Sequence, residues 1–190
     1  MASKIGIINR ALMQLGESPV ADLGPNAPQK ILSISKLYDD YYKELLGDYK
    51  WNFSKYITEL SKLSSFTSVD NWQYAYQIPS DYLQIDHVFP NVKYEIYGDK
   101  IYCNKSDGLK LVYFKVVPEA YLPPYFIEYL SSAMTAGFCM PITSNPQLMQ
   151  YWSESAKSSK IKALIIDKQN DTAPRLKADG LRIARYGFGA

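Results

Sequence analysis

The chain has 190 residues, of which 47% are hydrophobic and 21% charged, with a formal net charge of +2. That length can bury a proper core and the composition is close to globular averages, which excludes a disordered polymer. No apolar run approaches the roughly 18 residues of a membrane-spanning helix. Met1-Ala2-Ser3-Lys4-Ile5-Gly6 also lacks the apolar stretch and cleavage site of a signal peptide, so a soluble protein kept inside the producing cell, with no membrane partner, is expected.

Ser3 can cap a first helix in which Ile5, Ile8, Leu12 and Leu15 recur at helical spacing, and Gly16 can close it in a left-handed conformation. Residues 18–25 are a loop by composition. The second helix is expected from Asn26, a capping residue with Gln29 three positions on, and Pro28 is tolerated so early because first-turn N–H groups lack helical partners. Its stripe is Ile31, Ile34, Tyr38, Tyr41 or Tyr42, and Leu45, and Gly47 stops it.

From Trp51 the period shifts towards alternation. Strands are expected over 58–63, 72–76, 82–89, 93–97, 100–104 and 109–117, with a tight Gly98-Asp99 hairpin and a second turn at Asp107-Gly108. Such short strands curl into a small sheet or barrel. Seventeen tyrosines suit either contact surfaces or ordinary strand packing.

Helices return after Pro123-Pro124. Phe126, Tyr129 or Leu130, Ala133, Gly137 and Met140 hold one face of a third helix, small residues such as Ser131, Ser132 and Ala136 allow close packing, and Pro141 is expected to end it. Asn145 caps a fourth helix with Pro146 at its first position. There Met149, Trp152, Ala156, Ser159, Ala163 and Ile166 form a coiled-coil-like 3-4 seam that stops near Gln169-Asn170. Residues 171–190 read as an extended C-terminal arm, either frayed or ordered by a partner. Residues 157–190 carry eight basic against three acidic side chains, which fits an acidic partner, nucleic acid or a solvated face.

The fold class expected is α+β: an antiparallel helical bundle from residues 1–50 and 122–170, an inserted β lobe over 51–121, and the arm over 171–190. Chemistry is scarce. Neither GxGxxG, GxxxxGK[ST] nor GxSxG occurs, and one histidine, His87, with two cysteines leaves a His/Cys zinc site short of its four ligands. Cys103 and Cys139 lie far apart and read as reduced, buried thiols, although one disulfide is conceivable. Two carboxylate pairs, Asp81 with Asp86 and Asp99 with Asp107, are the only candidates for glycoside hydrolysis, and turn geometry explains most of these positions. No catalytic residue, cofactor or metal is therefore expected.

Several segments in a fixed order resemble the tail tubular protein A family, the head-to-tail adaptor of short-tailed bacteriophages. They are Ile8-Asn9-Arg10-Ala11-Leu12, Leu15-Gly16-Glu17-Ser18-Pro19-Val20, Trp51-Asn52-Phe53, Tyr76-Gln77-Ile78-Pro79-Ser80-Asp81-Tyr82-Leu83, Leu111-Val112-Tyr113-Phe114 and Pro123-Pro124-Tyr125-Phe126. The resemblance implies a virion protein made in the host cytoplasm: a homo-oligomeric ring, a dodecamer in the family, seated between the portal protein and the tail nozzle protein. DNA would pass its lumen without sequence-specific binding. In that setting Arg175, Lys177, Arg182, Arg185, Tyr186 and Phe188 are the expected portal-binding anchors, and Tyr94, Tyr97 and Tyr102 the expected contacts with a neighbouring subunit or the nozzle. A polysaccharide-degrading hydrolase on the same body is the alternative, and a nucleic-acid-binding module using the basic C-terminal region is a third.

Overall fold

The computed structural model describes residues 2–25, 27–64, 66, 68 and 71–170. Four helices, α1 (Lys4–Gln14), α2 (Gln29–Gly47), α3 (Pro124–Thr143) and α4 (Pro146–Gln169), flank six strands inserted between α2 and α3. The strands are β1 (Lys55–Glu59), β2 (Tyr74–Gln77), β3 (Tyr82–Phe89), β4 (Tyr94–Tyr97), β5 (Lys100–Cys103) and β6 (Lys110–Lys115). Helices and strands occupy separate stretches of chain, so the class is α+β. No helix among the described residues is long and apolar enough to cross a membrane.

Helix ends follow local chemistry. Ser3 Oγ accepts from the Gly6 N–H at 3.2 Å, and Gly16 closes the turn after α1 with φ +82°. The Asn9 carboxamide then holds the following loop by bonding both N–H and C=O of Val20 at 2.8 Å. α2 begins at Gln29, with Pro28 just ahead of it and no side-chain cap; the expected cap, Asn26, lies outside the described residues. α3 does not end at Pro141. It runs on to Thr143 and closes at Ser144, φ +51°. A proline in the last turn removes a single hydrogen bond, and Thr143 Oγ1, donating to the Cys139 carbonyl at 2.9 Å, bonds across that turn.

α3 is the hub, packing against α1, α2 and α4. It buries residues on almost every side, including Phe126, Leu130, Met134 and Phe138, so its pattern is apolar all round rather than one-faced. Gly137 lets α2 come close: a Cβ there would lie 2.8 Å from the Tyr41 ring. Met140, expected inward, is exposed. In α4 the seam of Ala156, Ser159 and Ala163 is buried, but Ile166 turns outward and Asp167 takes the inward place. An α-helix has 3.6 residues per turn rather than 3.5, so the residue stacked below Ala163 is its i+4 neighbour.

The β lobe is two three-stranded antiparallel sheets, ordered β1-β6-β3 and β2-β5-β4. Their inner faces share a second core of Tyr76, Val88, Ile101, Cys103, Leu111 and Tyr113, with Leu60, Ile78 and Leu109. The strand expected over 58–63 lies earlier, because β1 is selected by its register with β6, Lys55↔Phe114 through Glu59↔Lys110. Both cysteines are free and buried.

Lobe and helices meet at Trp51, which is fully buried among Tyr49, Phe53, Phe126 and Tyr129 at centroid distances of 5.1, 5.9, 5.0 and 6.1 Å. Beside it the buried Asp167 carboxylate accepts from the Asn52 backbone N–H at 2.9 Å and the Tyr125 hydroxyl at 2.8 Å. Asn52 Nδ2 donates back to the Asp167 carbonyl at 2.8 Å. Asp167→Ala strands two part-buried donors and is expected to cost about 1–3 kcal/mol in urea unfolding, with Asp167→Asn losing less because an amide oxygen still accepts.

Candidate interaction surfaces

The tyrosines divide by environment. Tyr38, Tyr42, Tyr76 and Tyr113 are buried, and their hydroxyls donate to the Glu119 carboxylate, the Val117 carbonyl, the Lys105 carbonyl and the Asp81 carboxylate. Burial, joined by nearby acidic groups, pushes their pKa values up, to about 12 for Tyr76 and Tyr113 and further for Tyr38 and Tyr42. These are core side chains with satisfied polar tips. Tyr56, Tyr97, Tyr121 and Tyr151 stand exposed.

The β4–β5 hairpin turns at Gly98-Asp99, with Gly98 at φ +62°. Strand alternation sends the three expected contact tyrosines to different faces. Tyr94 is half-buried against the second core. Tyr97 and Tyr102 lie on the other face as an edge-to-face pair at 5.3 Å, and Phe66 extends the row 5.5 Å beyond Tyr102. Tyr97 and Tyr102 are therefore the outward-facing pair of that group.

Two further apolar faces were not singled out from the sequence. β1 is an edge strand on which Tyr56 and Ile57 are exposed on opposite sides of the sheet; Tyr56 lies beneath Lys115 Nζ, 3.9 Å from its ring centroid. On α4, Ile161 and Ile165 are 59% and 53% exposed, and Leu164, Ile165, Lys168 and Gln169 line a shallow depression of about 530 Å³ with Tyr49. The signal was legible: Ile161, Leu164, Ile165 and Lys168 are spaced i, i+3, i+4, i+7, with Leu164 packed against the core at the margin and Ile161, Ile165 and Lys168 exposed.

The carboxylates weighed for hydrolysis are each held by their own partners. Asp81 accepts from Tyr113 and faces Lys115 at 3.9 Å. Asp86 binds Lys50 at 2.9 Å, Lys55 at 3.2 Å and His87 Nδ1 at 3.1 Å. Asp99 accepts from Gln77 at 2.9 Å, and Asp107 pairs with Lys62 at 3.3 Å. Among the described residues no cluster of three or more His, Cys, Asp or Glu could hold a metal ion. Arg175, Lys177, Arg182, Arg185, Tyr186 and Phe188 lie outside the described residues.

No protein-family model matches the chain, and a search of curated proteins finds no significant match.

Asp86 gives a pH test of the lobe's attachment to the Lys50 segment. Burial alone would raise its carboxyl's pKa, but the hydrogen bonds from Lys50 and Lys55, with His87, outweigh that and hold it at about 2. A carboxyl held below its ordinary value stabilises the fold above about pH 4 and loses that contribution as pH falls towards 2. Asp86→Asn is expected to cost about 1–2 kcal/mol at pH 7 and to flatten the stability loss through that acid window, measured by urea unfolding at stepped pH.

Proposed function

We propose that this chain is a structural adaptor subunit without a catalytic role. It assembles head-to-tail into a ring that joins the portal of a short-tailed bacteriophage capsid to the tail nozzle, with the genome passing through the lumen. The observation that carries this reading is the presence of two unlike regions of exposed apolar side chains on one subunit: the β1 edge, with Tyr56 on one side of the strand and Ile57 on the other, and the outer face of α4 with Ile161 and Ile165. A head-to-tail ring needs two different surfaces per copy, one meeting the other, whereas a two-fold dimer needs only one. The order of motifs from Ile8-Asn9-Arg10 to Pro123-Pro124-Tyr125 supports the same assignment.

In this reading the arm supplies the portal grip. Arg175, Arg182, Arg185, Tyr186 and Phe188 are of the residue types that anchor interfaces, and they follow directly from the end of α4. Tyr97 and Tyr102 then serve the neighbouring subunit or the nozzle.

Mass photometry of the full chain, with and without portal, tests the proposal. Rings are expected on portal. Ile161→Glu with Ile165→Glu should abolish ring closure while the circular dichroism spectrum is retained, and removal of residues 171–190 should weaken portal association at least roughly tenfold. A chain that neither oligomerises nor binds portal under any condition overturns the assignment.

A further inference from the structure

The far end of the β lobe carries a polar cleft that neither core requires. It has a volume of about 620 Å³ and is lined by Trp72, Val92, Lys93, Glu95, Tyr97, Asn104 and Lys105, with Asn71 at the rim. That volume lies in the range of small-molecule sites. Strand geometry builds it. Glu95 and Tyr97 alternate outward from edge strand β4, Asn104 and Lys105 follow the end of β5, and Trp72 precedes β2. Asn71 holds a left-handed backbone at φ +70°, a conformation asparagine tolerates better than most residues.

Hydrogen-bonding capacity inside the cleft is unevenly spent. Trp72 Nε1 donates to Glu95 Oε2 at 3.0 Å, and the Tyr97 hydroxyl donates to the same oxygen. These two donors, foremost Tyr97, joined by the nearby charge of Lys93, hold the Glu95 carboxyl below its ordinary pKa, so it is ionised at neutral pH. Its other oxygen, Oε1, has no protein donor among the described residues. Asn104 Oδ1 accepts from the Gln73 N–H at 2.9 Å, which fixes the carboxamide and leaves its NH₂ as the free pole. Lys93 and Lys105 make no ion pair with any described carboxylate.

This set has a definite complement. Two ammonium groups outside any close ion pair, Lys93 near Glu95 and Lys105 near Asp107, favour an anion. A fixed ionised carboxylate with an open oxygen repels a bare anion and requires a hydroxyl donor. A fixed amide NH₂ requires an acceptor, and the Tyr97 ring and Val92 offer a wall for a compact apolar face. An apolar ligand leaves the lysines and Glu95 unsatisfied, and a metal ion meets one carboxylate and two cations. We propose that this cleft binds a hydroxylated anion, a sugar bearing a carboxylate or a phosphate group. The charged group lies between Lys93 and Lys105, one hydroxyl donates to Glu95 Oε1, and another oxygen accepts from Asn104.

Isothermal titration of the full chain tests this with four probes: a galacturonate trimer, glucose 6-phosphate, glucose and inorganic phosphate. At least one of the first two is expected to bind at about 1 mM or tighter, with glucose and inorganic phosphate each at least roughly tenfold weaker; which of the two binds identifies the anionic group. Lys93→Met with Lys105→Met, both on side chains that reach solvent, should weaken binding at least roughly tenfold with an unchanged thermal midpoint. Glu95→Gln should narrow the preference for the sugar anion over inorganic phosphate. Absence of binding by both sugar anions, equal binding of inorganic phosphate, or binding indifferent to the lysine substitutions overturns the proposal.

Discussion

The Asp167 carboxyl group is fully buried, has no ion pair with a described residue, and is held by one backbone N–H and one phenol. A polar group buried in that position is tolerable only if its hydrogen-bonding capacity is filled, so Asn52 and Tyr125 must stay where they are. That requirement joins three pieces of chain far apart in sequence: the segment leaving α2, the first turn of α3 and the last turn of α4. Burial, then the neighbouring Asp167, pushes the Tyr125 hydroxyl's pKa upward, which keeps it protonated and donating. Trp51 fills the adjacent space with four aromatic neighbours. Polar geometry sets the angle of the joint and aromatic area supplies most of its stability.

From this joint the lobe projects with its orientation fixed a second time. Lys50, one residue before Trp51, reaches Asp86 on β3, and Lys55 reaches the same carboxylate from β1. On the opposite side Tyr42 bonds the Val117 carbonyl just past β6, and Tyr38 stacks on Tyr42 at 5.7 Å while reaching Glu119. The lobe is thus tied to α2 where the chain leaves for the strands and where it comes back. Faces on the lobe and on α4 are consequently held in constant relation, a condition for any ring whose closure depends on the angle between unlike patches.

Tyrosine has two uses here, and burial separates them. Inside, its ring fills volume and its hydroxyl satisfies a carbonyl or carboxylate that would otherwise be buried unpaired. Outside, Tyr97 and Tyr102 brace one another edge-to-face, so a partner would meet rings already ordered. The same element, the β4–β5 hairpin, therefore sends Tyr94 towards the second core and Tyr97 and Tyr102 to the outer face.

Much of the architecture was determined by sequence alone. The Ser3 and Asn145 caps, the Gly16 and Gly98 turns, the extended run over 82–89 and the buried thiols each rest on a residue type with a strong local preference, and local preferences survive folding. Tertiary structure decided what depends on partners distant in the chain. β1 took its limits from β6, α3 continued through Pro141 because its last turn is bonded and packed, and Asp167 replaced Ile166 inside because the helix turns at 3.6 residues. The cleft around Glu95 was invisible in sequence for the same reason: Trp72, Glu95 and Asn104 are spread over residues 72–104, and only the pairing of β2, β5 and β4 brings their polar atoms to one place.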